Sequence, residues 1–154
     1  MQNIPPCMIY IDKDGKWFYN GAEMINRAIV LDFYSHLTID DSGIYIIKRG
    51  NETCFVEVAD TPFIVTRVDF EKMEGVERVH LFLIDETEET LAPETLIIGN
   101  ENILYCTIKQ GLFMARFSRA AYYQLASRIK EEGDKYYLPL NNKKYLICDH
   151  PEIG

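Results

Sequence analysis

The strongest constraint on this chain is an internal echo. Residues 25–37, INRAIVLDFYSHL, are answered 92 positions later by residues 117–129, FSRAAYYQLASRI. At that offset Asn26 meets Ser118, Arg27 meets Arg119 and Ala28 meets Ala120, and both runs lie between hairpin-like stretches. Pairwise identity is weak, but a shared order of hairpin, capped helix and hairpin points to a duplicated unit. The repeat specifies an architecture and no reaction.

Taken in order, residues 8–11 and 16–19 flank Asp12-Lys13-Asp14-Gly15, where glycine supplies the positive φ of a tight hairpin. After Asn20-Gly21, Ile25, Ile29, Phe33 and Leu37 recur at helical spacing and mark one apolar face, with Asn26 as cap and Gly43 beyond the end. Residues 44–48 and 53–58 bracket Arg49-Gly50-Asn51-Glu52 as a second hairpin, which Pro62 terminates. A longer central hairpin is expected from residues 63–70 and 78–84. The first pattern then returns. Residues 104–108 pair with 112–117, and a helix capped by Ser118 buries Tyr122, Leu125, Ala126 and Ile129 before stopping near Gly133. Residues 136–140 and 143–147 close the chain through an Asn141-Asn142 turn. The expected fold class is α+β: duplicated ββαββ units at residues 1–60 and 100–154, joined by a central β-hairpin and acidic loop at 61–99. The sheet is expected to be mostly antiparallel, with two principal helices.

With 154 residues, 47% of them hydrophobic, the chain can fill one compact domain or two small subdomains without a covalent staple. No apolar run approaches the ~20 residues of a membrane helix, and MQNIPPCMIY lacks a basic stretch followed by a hydrophobic one, so a soluble cytoplasmic protein is expected. Cys7, Cys54, Cys106 and Cys148 are far apart and form no Cys-x-x-Cys pair, which favours reduced thiols over zinc or disulfides. A net charge of -8 opposes nucleic acid as a partner, since phosphate binding draws on Lys and Arg. Lys109, Arg116, Arg119, Arg128 and Lys130 do cluster, but Glu131, Glu132 and Asp134 follow them.

Ile9-x-Ile11-Asp12-x-x-Gly15-x-Trp17 with Gly21, Arg27 before Ile29-Val30, Asp60-x-Pro62-Phe63, Ala115-Arg116-x-Ser118-Arg119 and Tyr122-Tyr123-x-Leu125 form a set spread over nearly the whole chain. Together they resemble the bacterial family called domain of unknown function 1285. The resemblance implies a duplicated α+β fold whose C-terminal half is superficially like pleckstrin-homology domains. It also implies a role in signalling or ligand binding without an established activity. This chain has Ala59-Asp60-Thr61-Pro62-Phe63 where that family commonly has Glu-Asp-Ala-Pro-Phe, and Ala120 where proline often opens the second helix.

No Gly-x-Ser-x-Gly elbow, phosphate-cradling glycine loop or dinucleotide fingerprint occurs, and His36, His80 and His150 are scattered, so no catalytic set and no cofactor are expected. Residues 85–94 carry five acids and no base and read as a solvated loop. Trp17 and the tyrosines at 10, 19, 34, 122 and 123 read as core, with hydroxyls available to a pocket. Arg27 and Arg119 follow their caps at equivalent places, and Arg67 and Arg116 interrupt strands with buried-looking neighbours. Such arginines either line the groove between the halves and hold an anion bidentately, or pair with Asp32, Asp60 or Asp69. The candidate ligand-binding set is Arg27, Asp60, Arg67, Arg116, Arg119 and Tyr123. The expected function is a non-enzymatic module with a regulatory or signalling role, binding a small anionic ligand or a protein partner. The alternative is a metal-assisted enzyme using Asp60 and the carboxylates of 85–89. A homodimer through exposed strand edges is a third reading.

Overall fold

The computed structural model describes residues 3–154, and the chain divides into two compact units, one ending at Pro62 and one spanning Phe63–Gly154. The first contains β1 (Pro6–Ile11), β2 (Trp17–Tyr19), β3 (Ala22–Glu23), α1 (Arg27–Ser35), β4 (Leu37–Ile39), β5 (Tyr45–Arg49) and β6 (Glu52–Val58). Its six strands lie in the order β3-β2-β1-β6-β5-β4, antiparallel except where β1 meets β6.

Local turn chemistry explains the hairpins. The Asp12 carboxylate accepts from the backbone of Asp14 and Lys16, both at 2.9 Å, and Gly15 takes φ 82°. Asp40 repeats the device between β4 and β5, accepting from Ser42 and Ile44 at 2.9 Å, with Gly43 at φ 83°. Asn26 caps α1 by accepting from the Ile29 amide at 3.3 Å. The helix ends at Ser35, earlier than its apolar spacing suggests, because Leu37, Thr38 and Ile39 pair with Ile47, Ile46 and Tyr45 as β4. Ile9, Ile11, Trp17, Val30, Tyr34, Ile46, Ile47 and Val56 form the core, and the Tyr34 hydroxyl donates to the Pro62 carbonyl at 2.9 Å.

The cysteines depart from expectation. Cys7 and Cys54 form a disulfide, their Cα atoms 5.0 Å apart, because the parallel pairing of β1 with β6 brings together residues separated by 47 positions. Cys106 and Cys148 are free; Cys106 is fully buried, and that burial, helped by the charge of Glu89, pushes its thiol pKa far up.

The second unit contains β7 (Phe63–Met73), β8 (Val76–Leu83), β9 (Glu88–Thr90), β10 (Ile97–Ile98), β11 (Leu104–Ile108), β12 (Phe113–Phe117), α2 (Arg119–Ala126), β13 (Lys130–Glu132), β14 (Lys135–Leu140) and β15 (Lys143–Asp149). They form one sheet in the order β13-β14-β15-β10-β11-β12-β7-β8-β9. Its first six members repeat the connectivity of the other sheet: the opening strand β10 runs parallel to the closing strand β15, as β1 does to β6. The central hairpin β7–β8 joins through a parallel β7–β12 contact, so residues 63–99 belong to this sheet. Ser118 caps α2 by accepting from Ala121 at 3.1 Å. Beyond β12 the amide of Val68 donates instead to the Gln124 side chain at 2.7 Å, which ties α2 to β7.

Two further expectations change here. α2 stops at Ala126 rather than near Gly133, because residues 130–132 turn back as the exposed edge strand β13. The acidic segment is not a solvated loop: Glu88–Thr90 pairs with β8, and Asp85 has a side chain only 8% exposed, with Lys109 Nζ at 3.0 Å.

Candidate functional site

The residues around the start of α1 build an open apolar groove of about 490 Å³, lined by Tyr19, Met24, Ile25, Asn26, Ile29 and Phe33. Asn20 and Gly21, both with positive φ, make the two-residue turn from β2 to β3. Met24 is then fixed by its amide donating to the Trp17 carbonyl at 2.8 Å, and the chain enters the cap at Asn26. Val30 and Tyr34 point into the core. Ile25 and Ile29, on the stripe that helical spacing marks as apolar, face outward at 87% and 47% exposure. That is the reverse of what an amphipathic surface helix does.

The groove floor is aromatic. Phe33 stacks on Trp17, with ring centroids 6.1 Å apart and planes 4° from parallel, and Tyr34 meets the same indole edge-on at 4.8 Å. Arg49 reaches over Phe33 at 6.0 Å while pairing with Asp32 at 3.4 Å. The Trp17 indole N–H is buried with no acceptor among the described residues. Arg27, the first residue of α1, is exposed beside this rim.

The candidate residues do not all converge. Arg67 is half-exposed, lies 3.8 Å above the Phe82 ring and pairs with Asp69 at 3.4 Å, so it carries the ion pair offered as the alternative to ligand binding. Arg119 and Tyr123 stand one turn apart on the exposed side of α2, Tyr123 being 61% exposed and edge-on to Tyr122 at 5.4 Å. Arg116 is half-buried in β12 opposite Tyr105. Asp60 is half-buried, and its charge, after desolvation, raises the Tyr45 hydroxyl pKa.

The carboxylates of the acidic segment are engaged in holding the sheet. Asp85 accepts from the Thr87 hydroxyl at 2.6 Å and pairs with Lys109, Glu88 meets His80 Nε2 at 2.7 Å, and Glu89 accepts from the Lys109 amide at 3.0 Å. Among the described residues no three His, Cys, Asp or Glu side chains gather as metal ligands. His36 lies against the Asp32 carbonyl at 2.8 Å, and His150 Nδ1 against Glu152 at 3.0 Å. The Ser35 hydroxyl lies 3.1 Å from His36 Nδ1, and it donates to the Asp32 carbonyl at 2.6 Å, so both side chains are engaged in closing the end of α1. Sequence reasoning offered Tyr19 as a tyrosine with a hydroxyl available to a pocket but gave no site role to Met24 or Ile25, whose signal was apolar side chains immediately before a cap.

The chain has the fold of two solved DUF1285 family proteins. One, from Silicibacter pomeroyi, superposes with a TM-score of 0.79 at 19% identity, over 94% of this chain and 83% of the other. The second, from Shewanella baltica, gives 0.64 at 21% identity, over 78% of this chain and 91% of the other. The likeness read from scattered motifs therefore has a structural counterpart. No family model and no curated protein matches the chain. Several motif residues are architectural: Asp12 and Gly15 make a turn, Trp17 fills the core, the Pro62 carbonyl receives Tyr34, and Ser118 caps α2.

Among the described residues no helix is long and apolar enough to cross a membrane.

Proposed function

We propose that this protein is a non-enzymatic binding module with a regulatory or signalling role, and that it takes an amphipathic anion at the α1 groove. The apolar part of the ligand lies along Ile25, Ile29 and Phe33, and Arg27 meets its acidic group. The observation that supports this reading is the outward apolar stripe of α1 over a groove of about 490 Å³, a size suited to a small ligand. Burying an exposed isoleucine contributes about 1.5–3 kcal/mol. Arg116, Arg119 and Tyr123 of the second unit keep the proposed anion-binding role, while Arg67 of that unit and Asp60 of the first serve structure.

Trp17 is the single tryptophan and stacks on a groove residue, so its fluorescence reports occupancy. Titration with straight-chain carboxylates of increasing length, below their micelle concentrations, should give a saturable change. Affinity should rise by about fourfold per methylene, the equivalent of ~0.8 kcal/mol. The matching alcohols should bind more weakly, Arg27→Gln should erase that preference, and Ile29→Glu should abolish binding. A response unaltered by Ile29→Glu would refute the assignment.

The cytoplasm is the compartment expected from the sequence, and a closed disulfide pulls the other way, because cytosolic thiol pools keep such pairs reduced. The thiol count of protein isolated under alkylating conditions decides between them.

A further inference from the structure

We propose that the C-terminal unit carries a second site, independent of the α1 groove, which binds a small organic cation such as an amine or an alkylated ammonium. The site is a pocket of about 310 Å³ where α2 crosses the sheet. Its floor is the directly opposed pair Ile98 and Leu104, and one wall is Tyr122 with Ala126, one helical turn apart.

The opposite wall is polar and of one sign. Glu131 and Tyr136 oppose each other across the β13–β14 ladder, so carboxylate and phenol ring emerge side by side on one face, with Cβ atoms about 5 Å apart. Register with Ile98 sets Asp149 on the same face. The neighbouring bases are turned elsewhere. Lys130, Glu132 and Lys135 occupy the other face of the same hairpin by alternation, and Lys144 bonds Glu132 there at 2.5 Å. The Arg128 guanidinium lies 4.2 Å from the Phe70 ring centre. Among the described residues no basic side chain lines the pocket, although Arg128, Lys130 and Lys135 lie within a few positions of Glu131.

Asn102 closes the rim in an uncommon backbone state: Glu101 and Asn102 are consecutive non-glycine residues with φ of 58° and 61°, between strands joined by more than a two-residue turn. Such conformations cost energy and concentrate at ligand clamps. Two phenol rings, one carboxylate, an amide and an aliphatic floor match a cation carrying methyl or methylene groups, through ring faces and charge together. An anion would meet Glu131, and a neutral ligand would leave that charge unpaired.

The test uses the full ¹⁵N-labelled chain, with choline and its uncharged carbon isostere 3,3-dimethylbutan-1-ol as probes. Choline should shift the amides of Asn102, Ala126 and Glu131 saturably, and the isostere at equal concentration should not. Glu131→Gln should weaken choline about threefold, within the range for loss of one exposed charge partner. Glu132→Gln, one residue away on the other face, should leave affinity unchanged. Equal losses in the two variants, equal binding of the isostere, or no saturable shift at millimolar choline would each overturn the proposal. The amide spectrum shows directly that each variant is folded.

Discussion

Reducing or deleting the Cys7–Cys54 bridge should destabilise the N-terminal unit far more than any surface change. The two residues are 47 positions apart, and closing a loop of that length removes entropy from the unfolded chain equivalent to about 4 kcal/mol at 25 °C. In a unit of this size each kcal/mol moves the midpoint by about 4–8 °C, so reduction should lower it by on the order of 20 °C. Trp17, 2% exposed in the core of that unit, makes its fluorescence a specific reporter of that transition. Thermal scans would compare oxidised protein, reduced protein and Cys54→Ser. Thiol titration fixes the starting state: two thiols per chain in guanidinium without reductant, Cys106 and Cys148, of which only the exposed Cys148 should react in the native protein. Four thiols would remove the bridge altogether. A bridge confirmed by the count, with a midpoint that barely moves on reduction, would refute the loop-entropy argument and imply that the unfolded first unit stays compact.

Other consequences are smaller. Asn26→Ala and Ser118→Ala remove equivalent helix caps, and each should cost about 1 kcal/mol in urea unfolding. Lys109→Met strips the ammonium from the buried Asp85 carboxylate and should cost about 2–3 kcal/mol, with part recovered by adding Asp85→Asn. Tyr45 has its pKa raised above 10.0 by desolvation and by Asp60, so the folded state resists its ionisation. The associated stability is complete below the unfolded value and is lost as pH rises towards the folded one. Stability plotted against pH should therefore fall less steeply above pH 10 in Tyr45→Phe than in the parent, and identical slopes would remove that assignment.

The sequence was most informative where structure is local. Asp12 fixes its turn by accepting from local amides and Gly15 by its positive φ, Asn141-Asn142 turn through positive φ alone while the Asn141 side chain bonds the Glu77 backbone, and both hairpins form. Contacts between distant segments were less legible. The disulfide depends on a parallel β1–β6 pairing that no run of neighbours announces. Lys130-Glu131-Glu132 has no strand character of its own and becomes β13 because β14 offers a ladder at the sheet edge. Arg67 was half-legible: Asp69, two residues along one strand, shares its face and takes its charge, whereas the Phe82 ring beneath it belongs to another strand.

The α1 groove shows why periodicity marks an apolar face without saying where it points. Ile25, Ile29 and Phe33 form one apolar line, and Val30, Tyr34 and Leu37 form another. Tertiary contacts choose between them, since Tyr34 donates to Pro62 and packs edge-on to Trp17, which commits the second line to the core. Six of the nine residues in α1 are apolar, more than one buried face of a short helix uses. That surplus leaves Ile29 half exposed, with Ile25 just before the cap almost wholly so, where they contribute little to the folded unit's stability, and an occupant is what would bury them further. If the groove serves only as surface, Ile25→Ser with Ile29→Ser should leave both stability and carboxylate binding unchanged. If it serves as a site, the double variant should keep its midpoint and lose the ligand.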